Sequence, residues 1–248
     1  MKKFITLPII FLLLSIFPRL TMAGSFRVLP MKVFLDQKKN TEKLVVKNEA
    51  ENDLTLQLSI FNWKQDDKAN DVYEPTENII VTPKILTLKK GEERVIRVGY
   101  VKYSEERESS YRIYLEEISA EKPGVNGLKM LLKIGIPIFI ISAKEKPAGV
   151  IEGVEIQDGK IKATVKNNGN SHLFLTSLKA IGDDGNGKGL YQQELKGWYL
   201  LPGVSKTYLF DIPGNVCRKL KTITLDAKTD QGTIAPRKAS LNESACPK

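Results

Sequence analysis

The segment LKMLLKIGIPIFII, Leu128 to Ile141, alternates along its whole length. Leu128, Met130, Leu132, Ile134, Ile136, Ile138 and Ile140 form an apolar row of period two, which predicts a β-strand. The other face mixes Lys129, Lys133, Gly135 and Pro137 with Leu131, Phe139 and Ile141. Fully extended, such a run reaches roughly 46 Å, against about 17–20 Å for an ordinary strand. A strand so long and so apolar is either internal to a sandwich or leaves an edge that something else must cover.

The rest of the chain has the same texture. DLTLQLSIFN, ERVIRVGY, SYRIYLEEI, KIKATVKN, SKTYLFDI and KTITLDAKTD alternate, and PGVNG, NNGNS, GDDGNGKG and LPGVS punctuate them as turns. No long stretch of helical period interrupts them. The fold class expected is all-β, of sandwich type. LVVKNEAENDLTLQLSIF in the first half is echoed by ATVKNNGNSHLFLTSLKA in the second, and LKKGEERVIRV by LPGVSKTYLF. Two copies of one sandwich, joined at an elbow in SAKEKPAGV, fit the length; one distorted sandwich is the alternative. The division expected is 24–145 and 146–248, with Pro147 stiffening the elbow.

Residues 1–23 read as a secretory signal peptide: Lys2 and Lys3, an apolar core to Phe17, and Thr21-Met22-Ala23 before the cleavage point. The apolar run is short for a membrane anchor, and Pro18 and Arg19 interrupt it. Export makes a disulfide between Cys217 and Cys246 the leading reading, with two free thiols as the alternative. The loop it closes corresponds to about 3–4 kcal/mol on the chain-entropy model. The formal charge of +9 includes Lys2, Lys3 and Arg19 and no acid from the leader, so removal leaves +6. That charge is diffuse, without an Arg-rich run or a basic helix studded with aromatics, which argues against nucleic acid.

Signals for catalysis are poor. The one histidine, His172, follows the turn NNGNS and reads as a hydrogen-bonding residue rather than a general base. No nucleophile elbow, zinc spacing or phosphate loop occurs. DDGNGKGLYQQEL resembles a calcium loop only faintly. Counted from Asp184, Lys188 stands where an oxygen ligand belongs and Leu195 where the closing acid belongs, so an exposed turn is expected and no metal.

In order along the chain, several segments resemble the periplasmic chaperones of the chaperone–usher pilus pathway, the PapD-like family. IIVTPKILTLKKGEERVIRVGY resembles that family's TP…L…G…RV segment through Thr82, Pro83, Leu88, Gly91, Arg97 and Val98. RESSYRIYLEEI resembles its F strand, and the 128–141 run its G strand. The resemblance covers essentially the whole mature chain. It implies two immunoglobulin-like sandwiches, a periplasmic location, no enzymatic activity and no cofactor. The implied partners are pilus or fimbrial subunits and an outer-membrane usher, with no membrane insertion and with self-association through the exposed strand as a further possibility. The implied mechanism is donor-strand complementation, in which the chaperone lends its G strand to a subunit sandwich that lacks its last strand. Leu128, Met130, Leu132 and Ile134 are then the inserted row, worth about 6–12 kcal/mol gross before ordering costs. Ile136, Ile138 and Ile140 belong to the chaperone's own core.

The family's best-known branch anchors the subunit's terminal carboxylate with two basic residues in the interdomain cleft. Here the first falls on Lys32, but the G-strand position falls on Pro137, which offers neither a cation nor an N–H. This departure resembles the archaic branch, and Arg112 on the neighbouring F strand becomes the candidate anchor beside Lys32. EKPGVNG implies a short F–G loop without a long donor extension. The competing reading is an exported two-domain adhesion or pilus structural protein that keeps the strand inside its own sheet.

Overall fold

The computed structural model describes residues 26–118, 130–157, 159–241 and 246. The leader, the EKPGVNG loop and Leu128 lie outside the described residues.

Two sheets form the first sandwich. In one, β1 (Phe26–Leu29), β3 (Thr41–Asn48), β8 (Glu93–Tyr100) and β6 (Ile79–Thr82) lie side by side in that order. In the other, β2 (Val33–Leu35), β10 (Lys133–Ile140), β9 (Ser109–Ile118), β4 (Leu54–Gln65) and β5 (Asp71–Pro75) follow one another, and β7 (Ile85–Leu88) also pairs with β4. Alternation sends every second side chain inward. Leu44, Val46, Ile96 and Val98 from the first sheet meet Leu56, Ile113, Leu115, Ile136 and Ile138 from the second in one buried core.

The second sandwich repeats the plan. β11 (Gly149–Gln157), β12 (Lys160–Asn167) and β16 (Ser205–Asp211) make one sheet. The other runs β14 (Gly189–Lys196), β13 (Leu173–Asp183), β17 (Thr222–Thr229), β18 (Gly232–Ser240), with β15 (Tyr199–Leu200) on the end of β13. Among the described residues no sheet spans both halves. Ile140 ends the last strand of the first sandwich and Gly149 opens the second, with Pro147 between them. One helical turn, α1 (Gly214–Cys217), departs from the all-strand expectation. It carries Cys217, which is bonded to Cys246 across 29 residues of chain.

The sequence echo is a repeated piece of hydrogen bonding. Asn48 is fully buried and donates to Asn52 O and Leu88 O, while its Oδ1 accepts the Ala50 N–H. Asn167 does the same with Ser171 O, Leu200 O and the Gly169 N–H. Gly91 donates to Asn48 O and Gly203 to Asn167 O, both with positive φ, 73° and 81°. Only a residue without Cβ turns so without strain. In each Val-Lys-Asn, one amide therefore ties a strand end to the turn that follows and to a second strand.

DDGNGKG is the β13–β14 connection. Asp183 and Asp184 spend oxygens on their own backbone, accepting from Gly185, Asn186 and Lys188 N–H groups. The strand expected over 128–141 is shorter in the fold. Pairing as β10 starts at Lys133, and 130–132 are irregular apart from one hydrogen bond.

Candidate functional site: an open strand edge beside an interdomain cleft

β10 pairs antiparallel with β9 over its whole length, from Lys133 opposite Glu116 to Ile140 opposite Ser109. One step earlier, Glu117 N–H donates to Leu132 O at 2.9 Å. Antiparallel ladders alternate, so the even-numbered residues turn their N–H and C=O toward β9 and the odd-numbered ones turn theirs away. On that other side β2 lies parallel to β10, but only from Val33 opposite Ile138 to Leu35 opposite Ile140. The outward groups of Lys133 and Gly135 have no strand partner among the described residues. Pro137 stands where this cover begins. Its parity directs the missing N–H away from β9, so the β9 ladder loses no donor.

The even side chains of β10 all address the core face. Ile136, Ile138 and Ile140 are buried in it, while Leu132 and Ile134 are partly buried against it. Met130 is 87% exposed. The apolar row therefore runs out of the sandwich toward the uncovered edge. The odd side chains lie on the opposite face of the sheet, and Phe139 among them reaches the second sandwich. Tyr114 lies over Gly135, where a Cβ would come within 2.8 Å of its ring. Phe139 stacks on His172 with ring centroids 3.6 Å apart.

Arg112 lies directly opposite Pro137. It is only 8% exposed. Its guanidinium carbon sits 4.2 Å from the Trp63 ring, 5.7 Å from Trp198 and 5.9 Å from Tyr73. Among the described residues its buried Nε has no hydrogen-bond partner. Among the described residues no carboxylate forms an ion pair with Arg112. Burial pushes the Tyr73 phenol well above its usual range, a hydrogen bond with Tyr114 adds to this, and the pull of Arg112 does not reverse it. Arg112 thus faces neutral rings.

Lys32, just before β2, is differently placed. Its Nζ is 3.5 Å from Asp230 Oδ2 and lies 5.0 Å and 5.4 Å from the rings of Phe174 and Tyr199. Trp198 and Tyr199 touch edge to face at 5.5 Å, so Arg112 and Lys32 approach the same aromatic pair. Lys32 already has an acid; Arg112 does not.

The cleft is held by contacts the sequence did not signal. Glu108, fully buried, accepts from His172 Nδ1 at 2.8 Å and from the His172 backbone N–H at 3.1 Å. Gln65 bridges Tyr199 O and Leu201 N–H, and Trp198 Nε1 donates to Asp71 at 3.0 Å. These partners lie 64 to 136 residues apart, beyond the reach of any local pattern.

Residues 25–144 match the model of the pili and flagellar-assembly chaperone PapD N-terminal domain. The first sandwich belongs to the PapD N-terminal domain family of pilus-assembly chaperones. These chaperones are assembly factors, not enzymes. A chain of the CsuC–CsuE chaperone–tip subunit pre-assembly complex of archaic Csu pili from Acinetobacter baumannii is 20% identical, with TM-score 0.62 over 88% of this chain and 98% of that one. The class 5 fimbriae chaperone CfaA is 14% identical, with TM-score 0.56 over 88% and 99%. A chain of the Salmonella enterica SafA pilin–SafB chaperone complex is 17% identical, with TM-score 0.53 over 89% and 98%. At such identities these structures share the two-sandwich fold with the PapD-like chain. No curated protein sequence matches it.

Proposed function

We propose that this protein is a periplasmic chaperone that captures pilus or fimbrial subunits by donor-strand complementation and delivers them to an outer-membrane usher. The observation that carries the reading is the edge of β10. Among the described residues Lys133 and Gly135 present backbone groups without a strand partner, and the apolar row emerges beside them at Met130. An incoming strand would pair with that edge, while Leu128, Met130, Leu132 and Ile134 fill the subunit's groove. Leu132 and Ile134 rest partly on the chaperone's own core when free, so capture extends one core into another.

Arg112 is the proposed anchor for the subunit's terminal carboxylate. Its unpartnered Nε and aromatic surroundings support this, because a carboxylate would be the first acid to reach a largely desolvated cation. Lys32 is the secondary anchor and must exchange Asp230 for the client. Pro137 at the other basic position favours the archaic branch. The reading includes removal of 1–23 on export and the division into 24–145 and 146–248.

The test is co-purification from the periplasm, with mass spectrometry of whatever accompanies the protein. A subunit that is degraded without this protein, and that is lost on Leu132→Lys, is the expected result. Recovery of a stable protein with no client, unaffected by Leu132→Lys, would return the strand to an ordinary structural role.

A further inference from the structure

Three rings of the second sandwich form one patch between the two cations of the cleft. Phe174 in β13 lies opposite Tyr199 in β15. Trp198 meets both edge to face, with centroids 6.5 Å from Phe174 and 5.5 Å from Tyr199. Lys32 approaches the patch at Phe174 and Tyr199, and Arg112 approaches it at Trp198. The rings differ in cover: Tyr199 is buried, whereas Trp198 is 39% exposed.

Trp198 is exposed and yet held. Its backbone carbonyl accepts the Leu175 N–H at 3.0 Å, and its Nε1 donates to Asp71 of the first sandwich. Asp71 is itself fixed by Gln65 Nε2 at 3.0 Å and by the Tyr73 hydroxyl at 3.3 Å. An indole immobilised before a ligand arrives loses little freedom when it binds one. Tryptophan is also enriched among the residues that carry most of the energy of an interface. The Arg112 guanidinium carbon is 5.7 Å from this ring, so a carboxylate on Arg112 would bring the residue that bears it beside the indole.

We infer that the cleft reads the last residue of its client. It takes a chain whose free carboxylate meets Arg112 and whose final side chain is aromatic and lies on Trp198. The inference rests on Arg112 being the carboxylate anchor, and it adds the identity of the residue that brings the carboxylate. The surrounding charges disfavour the alternatives. A terminal lysine or arginine is repelled by Arg112 and Lys32 together. A terminal aspartate or glutamate brings a second carboxylate toward Asp230, which already holds Lys32 at 3.5 Å. A terminal alanine leaves the indole wet. An aromatic ring covers it and adds ring–ring attraction to the area buried.

The probes are Gly-Ser-Gly-Phe, Gly-Ser-Gly-Ala and Gly-Ser-Gly-Lys with free carboxylates, and the Phe peptide as its C-terminal amide. Their glycines disfavour strand addition at β10. Titrations are followed by the amide and indole N–H resonances of the folded protein, which has only two tryptophans. The Phe peptide should bind with Kd on the order of 0.1–1 mM and shift the Trp198 indole signal. It should bind about tenfold more tightly than the Ala peptide, and the Lys peptide should be weaker than either. Trp198→Ala should cost the Phe peptide about tenfold and remove its advantage. Trp198→Phe keeps a ring without the N–H to Asp71 and should retain most of that advantage. Loss of the preference in both variants would make Trp198 a strut for Asp71 and overturn the inference. Equal affinity for the Phe and Ala peptides, with the amide rejected, also overturns it but leaves Arg112 as the anchor. Acid and amide binding alike, or no binding at several-fold that concentration, removes the anchor and the inference with it.

Discussion

At Arg112 two effects oppose one another. Burying a guanidinium without a counter-ion costs several kcal/mol, and stacking on Trp63 returns about 1–2 kcal/mol. Arg112→Met removes the charge and keeps most of the volume. It should leave stability unchanged or raise it by about 1 kcal/mol in urea unfolding, while retention of a co-expressed subunit falls at least tenfold. A purely structural arginine would show the reverse. Tyr208 gives a residue-scale test of pH dependence. Burial pushes its phenol from 10.0 to about 12, and among the described residues its hydroxyl has no partner. A pKa raised in the folded state stabilises the neutral form, so this contribution is intact below pH 10 and disappears as pH rises through about 12. Tyr208→Phe should therefore be as stable as the parent at neutral pH and resist alkaline unfolding better, as monitored by circular dichroism.

β10 belongs to two environments, and mutations along it should divide accordingly. Ile138 is fully buried between β9 and β2, and Ile138→Ala should cost about 2–5 kcal/mol. Met130 shares its parity but lies outside the sandwich, so Met130→Ala should change stability by less than about 0.5 kcal/mol while weakening client capture. Amide exchange along the same strand provides a further check. Lys133 and Gly135 N–H groups should exchange readily in the free protein and become protected when a client is bound, whereas Ile136 and Ile138, bonded to β9, should be slow in both states.

Glu108 and His172 couple the two sandwiches across the cleft. Both side chains are buried, and the histidine ring stacks on Phe139 of β10. Among the described residues, His172→Ala leaves the buried Glu108 carboxylate with a backbone N–H and Ser110 as donors. Leaving a buried acceptor without its donor costs about 1–3 kcal/mol. Much of that should appear as loosened docking between domains rather than unfolding of either. Small-angle scattering should show a larger, more variable radius for His172→Ala, and Glu108→Gln in the same background should restore much of the parent value. Because Phe139 and the donor edge share one strand, the loosened form should also hold clients less tightly.

Period-two patterning, turn residues and the repeated Val-Lys-Asn are local signals, and they sufficed for an all-β chain of two related sandwiches. The resemblance of that alternating run to the family's G strand also implied that Ile136, Ile138 and Ile140 lie in the core, where they are buried. The pairing of Cys217 with Cys246 was legible because only two cysteines exist. How much of β10 is covered was not: that depends on β2 reaching back no further than Ile138, a matter of where two distant strands meet. The same holds for Arg112 among Trp63, Tyr73 and Trp198, and for His172, whose neighbour in sequence is a turn and whose partner is Glu108. Local propensity acts over a few residues. A buried charge and its rings are brought together by the packing of whole sheets, and only the folded chain could decide which of them would be left without a partner.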